Sequence, residues 1–191
     1  MADELKRRLV HASGSGLVAL YLLARFLDLP LTWPRFRLLM AVLAAGALVL
    51  EFFRLYVGLD WRIYDVLTRD YERDNPAGYA LYLISMAAVV LVFEPEIALP
   101  AMLMLAIGDP VSGAVSADRL ERVKPPKVLL AMFSVCTLLA VPFLPTTAAL
   151  AAAAGATVAD GVTLRIATYV VDDNLTIPPY AAIAAWLALA A

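Results

Sequence analysis

Apolar stretches long enough to cross a bilayer recur along this chain, and they leave few architectures open. A helical span needs roughly 20 apolar residues, and in hydrocarbon every backbone N–H and C=O must be paired within the structure. Stretches of this kind lie at Leu9–Leu29, Phe36–Val57, Gly78–Phe93, Ile97–Ser116, Val128–Leu144, Ala148–Thr168 and Pro178–Ala191. The polar segments between them are Gly58–Ala77, the short Glu94-Pro-Glu96 turn, the basic loop Ala117–Lys127 and the turn Asp172-Asp-Asn174. The apolar fraction, 63%, stands far above the roughly 45–50% of soluble domains, and the mean hydropathy of +0.81 agrees. The expected fold is an all-α integral membrane protein of about seven transmembrane helices, a single polytopic domain over residues 1–191. The basic patch and apolar run at the N-terminus resemble a signal peptide. The run is long, Gly/Ser-interrupted and lacks a small-x-small exit, so a retained first helix is expected.

Loop charge predicts the orientation. With the N-terminus cytoplasmic, that side holds Lys6, Arg7, Arg8, Arg62, Arg69, Arg73, Arg119, Arg122, Lys124 and Lys127, and the outside loops hold Arg35 and Arg37. Cytoplasmic loops carry the excess of Lys and Arg, so ten against two predicts N-terminus in, C-terminus out, in a cell membrane (or an endoplasmic-reticulum membrane in a eukaryote).

One residue breaks the apolar pattern at depth. Asp109 sits in the run Leu105-Ala-Ile-Gly-Asp-Pro-Val-Ser-Gly113. A carboxylate there costs about 2.5–3.5 kcal/mol on insertion scales, which marks a functional site. The Gly before it and the Pro after it predict a broken helix, tolerated at that depth only inside protein or beside a wet cavity. Asp109 and Asp160 each fall about eight residues before the cytoplasmic end of their span, roughly 12 Å deep at the helical rise of 1.5 Å per residue. Two carboxylates at matching depth under a rim of Arg and Lys predict a polar pocket open to the cytoplasm.

The residue inventory narrows the chemistry. Cys136 and His11 are each the only one of their kind, which excludes thiolate and His-rich metal sites. Cys136 reads as a packing residue. A metal here is held by oxygens, which points to Mg²⁺ or a similar hard cation. Carboxylates for a divalent cation, with Arg and Lys for phosphate oxygens, suit phosphoryl or nucleotidyl transfer. No P-loop motif is present, and no nucleic-acid partner is expected. Gly14 and Gly16 read as close-packing positions, and Glu51 and Arg54, one helical turn apart, read as an ion pair.

Four blocks, in order, carry a resemblance: Glu4-Leu-Lys-Arg-Arg-Leu-Val-His11; Arg69-Asp-Tyr-Glu72 with Gly78-Tyr79; Gly108-Asp-Pro-Val-Ser-Gly113 with a downstream Lys; and Asp172-Asp-Asn-Leu-Thr-Ile-Pro178. Together they resemble the polyprenol kinase family, which includes dolichol kinase, phytol kinase and CTP-dependent diacylglycerol kinase, and the chain looks most like its archaeal members. The resemblance implies transfer of the γ-phosphoryl group of CTP to the hydroxyl of a membrane lipid alcohol, with a divalent cation, at the cytoplasmic face. It implies Asp109 and Asp173 as catalytic residues, and Asp109, Asp172 and Asp173 as ligands of Mg²⁺. Arg7, Arg8, Gly108, Gly113, Lys124, Lys127 and Asn174 would meet the nucleotide and its phosphates, with Glu72, Asp160 and His11 in supporting positions. The chain departs from the family pattern at Arg8, commonly Lys; at Asp160, usually Glu; and at Val123-Lys-Pro-Pro-Lys127, which lacks the family's Gly/Ser phosphate cradle. Two alternatives stand beside the kinase: a CTP-dependent cytidylyltransferase acting on a phosphatidate-type lipid, and a small ion-coupled transporter.

Overall fold

The computed structural model describes residues 10–58, 61, 64, 75–116, 123–166 and 169–191. It is built almost wholly of helices. After a short helical stretch carrying His11 come α1 (Ser15–Phe26), α2 (Trp33–Phe52, running into a π turn at Phe53–Val57) and α3 (Gly78–Val92). Helix α4 covers Pro95–Val115 with an internal π turn at Met104–Gly108. Then follow α5 (Pro126–Ala140), α6 (Thr146–Gly161) and α7 (Asp173–Ala190). Among the described residues two helices, Trp33–Val57 and Pro95–Val115, are long and apolar enough to cross a membrane.

Three sequence expectations change here. The sixth apolar stretch does not stay helical to Thr168: α6 ends at Gly161, and Arg165–Ile166 pairs antiparallel with Tyr169–Val170. Asp160 is therefore at the end of its helix, not two turns inside it. The last helix begins at Asp173, five residues before Pro178, because Asp172 caps it by accepting from the Asn174 N–H at 2.9 Å, the usual role of Asp at an N-cap. Finally, Gly108-Asp109-Pro110 does not break α4. Gly108 and Asp109 both keep right-handed helical angles, and the π turn that ends at Gly108 absorbs the proline.

Small residues line the closest helix contacts. Helices α6 and α7 meet through alanines, including Ala149, Ala152, Ala156, Ala181 and Ala185, all buried. Gly155 lets them approach so closely that a Cβ there would lie 2.5 Å from the Tyr180 carbonyl oxygen. Small residues at such contacts are how helices pack in lipid. Gly14 is needed in the same way, since a Cβ there would collide with the Tyr82 hydroxyl, whereas Gly16 faces open space. The large apolar side chains Leu38, Val42, Leu130, Leu138, Ile183 and Leu187 point outward and are exposed.

Two ion pairs fasten helix ends. Arg37, stacked on Trp33, donates to the Val90 and Phe93 carbonyls at the end of α3 and to Glu94. Near the end of α2, Arg54 grips buried Glu51 with two hydrogen bonds, of 3.1 and 2.7 Å. Arg54 also donates to the Asn75 carbonyl, and the Ala77 N–H donates to Glu51, so the pair ties α2 to the start of α3. Removing one member of a buried pair strands the other charge, so Glu51→Ala is expected to cost about 3–5 kcal/mol. Denaturant unfolding in detergent checks this, and the double variant Glu51→Ala, Arg54→Met should recover most of the loss.

Candidate functional site

Two prolines shape the site, each through the N–H it lacks. In the π turn of α4 the Asp109 N–H reaches back to the Met104 carbonyl. The next bond in that register would run from Pro110 to Leu105, and Pro110 has no donor. His11 fills the gap: its Nε2 lies 3.1 Å from the Leu105 carbonyl oxygen. A carbonyl only accepts, so this nitrogen carries the proton. The same nitrogen lies 3.4 Å from Asp109 Oδ2. In α7, Pro178 leaves the Asn174 carbonyl without its helical donor, and Ser85 of α3 supplies one at 2.6 Å. Buried backbone acceptors rarely go unpaired. Here their partners pin the N-terminal helical stretch and α3 against the two helices that carry the acids.

Those helices and α6 bring three carboxylates together. Asp109, Asp160 and Asp173 each present an oxygen within 4.8 Å of the others. Asp160 is buried despite its place at the helix end, since Val123 bridges to Val162 and the Lys124 N–H bonds to the Gly161 carbonyl at 2.9 Å, laying chain across that end. Both oxygens of Asp160 are engaged. Oδ1 accepts from Lys124 Nζ at 2.7 Å, and Oδ2 accepts from Ser112 Oγ at 2.7 Å. Lys124 also lies 3.3 Å from Ser112 Oγ.

Burial pushes the Lys124 ammonium toward deprotonation, but Asp160, and more distantly Asp173 and Asp109, outweigh it and hold its pKa above the ordinary lysine value. Lys124 is therefore charged across the neutral range. Its contribution is complete below the unfolded lysine pKa of about 10.4, and it fades only as pH rises through the still higher folded value.

The donor set fits a hard cation. Ligand oxygens on Mg²⁺ sit at about 2.0–2.1 Å, hence roughly 3 to 4.2 Å from one another, and such ions prefer carboxylates. The spread of the three oxygens is compatible with that. One ammonium against three formal carboxylate charges leaves a deficit that one divalent ion would cancel. On the residue after Asp173, Asn174 Oδ1 is a buried acceptor without a hydrogen-bond partner among the described residues.

The expected site residues are thus distributed unevenly. Asp109 and Asp173 meet, and Asp160, expected in support, stands with them as a full member of the trio. Asp172 Oδ1 is occupied in capping, accepting from both the backbone N–H and the side-chain amide of Asn174. Lys124 is at the acids. Lys127 is exposed on the first turn of α5. Gly108 is buried against α5, where a Cβ would lie 3.0 Å from Cys136 Sγ, so its smallness serves helix packing. Gly113 is half-buried further along α4. Arg7, Arg8 and Glu72 lie outside the described residues.

Sequence reasoning did not single out Ser112, Tyr82 or Ser85. Ser112 had a signal, since it lies three residues after Asp109 and hence on the same helix face. Tyr82, whose hydroxyl donates to the His11 carbonyl at 3.0 Å and whose ring meets His11 edge-on, had none. Comparison with protein-family models, with curated proteins and with solved structures returned no match.

Proposed function

We propose that the chain is a multi-pass membrane phosphotransferase of the polyprenol-kinase kind. It moves the γ-phosphoryl group of CTP onto the hydroxyl of an isoprenoid or glycerolipid alcohol at the cytoplasmic face. The observation that carries this reading is the convergence of Asp109, Asp160 and Asp173 with Lys124 where α4, α6 and α7 meet. The outward-facing leucines and valines support several lipid-embedded helices, and the excess of Lys and Arg in one set of loops supports the N-terminus inside and the C-terminus outside.

The lipid oxygen bonds to the γ-phosphorus, the bond from that phosphorus to the bridging oxygen breaks, and CDP leaves. Phosphoryl transfer needs placed charge more than covalent help. A divalent ion, Mg²⁺ by the oxygen donor set, supplies neutralisation of phosphate charge when bound. Asp109 and Asp173 are the catalytic carboxylates, holding that ion and taking the hydroxyl proton, with Asp160 beside them. Lys124, with Arg7, Arg8 and Lys127, meets phosphate oxygens, and His11 fixes Asp109.

Liposomes containing the protein, offered a panel of polyprenols, phytol and diacylglycerol with γ- or α-labelled CTP and with ATP, test this. Label from the γ position is expected in the lipid fraction. Lipid labelled from the α position would mean cytidylyl transfer instead, and no lipid label under any condition would overturn the kinase reading.

A further inference from the structure

Asp160 holds the Lys124 ammonium at 2.7 Å, and the two side chains differ in their access to solvent. The Asp160 side chain has no solvent exposure, while that of Lys124 is 24% exposed. A buried carboxylate left uncompensated is costly, so something positive must stay at Oδ1. Lys124 reaches it on a flexible four-carbon stem whose base is fixed: its own N–H is bonded to Gly161, the residue after Asp160, and Val123 bridges to Val162. The ammonium can therefore swing about a stationary root without moving the loop. Ser112 completes the arrangement. Its hydroxyl donates to Asp160 Oδ2 and accepts from Lys124, so it holds the carboxylate in place when Lys124 departs.

We propose that Lys124 is an exchangeable countercharge: its ammonium occupies Asp160 while the acid trio holds no metal, and a divalent ion entering among Asp109, Asp160 and Asp173 displaces it toward the solvent side, where it is free to take a phosphate oxygen. This rests on the reading of the trio as a cation site. Its consequence is an order of events, in which the cation loads first and the phosphate-binding lysine is released by that loading.

The chain has three lysines, Lys6, Lys124 and Lys127, which makes the exchange directly readable. The full chain in nanodiscs is treated with an amine-acylating reagent, with chelator or with increasing Mn²⁺ and no nucleotide. Labelling at each lysine is quantified by mass spectrometry, and bound Mn²⁺ is measured on the same samples by electron paramagnetic resonance. Acylation of Lys124 is expected to rise several-fold in step with Mn²⁺ occupancy, while Lys127, already exposed, stays flat. Bound Mn²⁺ with unchanged or reduced Lys124 labelling overturns the exchange and leaves the cation site standing. No bound Mn²⁺ overturns both. In addition, Lys124→Gln is expected to bind Mn²⁺ alone several-fold more tightly than the natural chain, because the ion no longer competes with an ammonium, and unchanged or weaker binding contradicts the proposal.

Discussion

Asp109→Asn is expected to reduce lipid-alcohol phosphorylation by about 10²–10³-fold or more, the scale of losing one preorganised electrostatic group at a reacting centre, while the protein stays folded. The two halves of that expectation have separate causes. The amide has the shape of the carboxylate and keeps an oxygen that can accept from His11 Nε2, now 3.4 Å from Asp109 Oδ2. The link from the N-terminal helical stretch to α4 therefore survives, helped by the bond from His11 to the Leu105 carbonyl, which the substitution does not touch. Asp109 also shares the site with two other carboxylates, and relieving like-charge repulsion does not destabilise a fold. What is lost is an anionic oxygen for the cation and a proton acceptor for the hydroxyl. Thermal unfolding in detergent alongside the transfer assay separates these: an unchanged midpoint with lost transfer is expected, and an unfolded variant would assign Asp109 to structure instead.

The second large effect lies in the contrast between neighbours. Asp173→Asn is expected to lose transfer on the same scale as Asp109→Asn, because its oxygen is one of the three that converge. Asp172→Asn is expected to keep it. Asp172 acts through one oxygen that accepts from Asn174, and Asn is as good an N-cap as Asp. Asp172→Ala, which removes the cap, is expected to cost about 0.5–2 kcal/mol of stability with transfer largely retained at temperatures where the protein is folded. Initial rates and unfolding midpoints for the three variants check this pair of roles. A loss of transfer in Asp172→Asn equal to that in Asp173→Asn would place both residues at the reacting centre.

The same pair shows where a sequence can be read and where it cannot. An Asp-Asp-Asn run before a proline announces an acidic helix start, but successive helical residues point about 100° apart, and nothing in the run says which acid caps and which faces the trio. The hydrophobic pattern located the helices well, since each lies within or close to an apolar stretch. It misjudged their ends, because the chain after Gly161 turns into a ribbon in which Ile166 and Val170 continue the run of apolar residues past the end of the helix. Matching depth in the sequence pairs Asp109 with Asp160. They do meet, for a different reason: Asp160 sits at the end of α6 under the Val123–Lys124 segment.

Gly108-Asp109-Pro110 signals disturbed backbone correctly, but the kind of disturbance depends on a partner 94 residues away in sequence, His11, which takes the carbonyl that proline leaves bare. A π turn so placed, beside a site residue, is where such turns are commonly found. Ser85 and the Asn174 carbonyl repeat the device at Pro178. Contacts of this range leave no local pattern, which is why Ser85 and Tyr82 went unread while Asp109 stood out from its own neighbourhood.

The most direct test of the central claim is transfer from γ-labelled CTP to a polyprenol in liposomes containing the purified chain, measured with Mg²⁺ and again after chelation. The account requires label in the lipid phosphate with Mg²⁺, its loss with chelator, and its return when Mg²⁺ is restored. Labelling that persists at full rate without any divalent cation would contradict the role given to Asp109, Asp160 and Asp173.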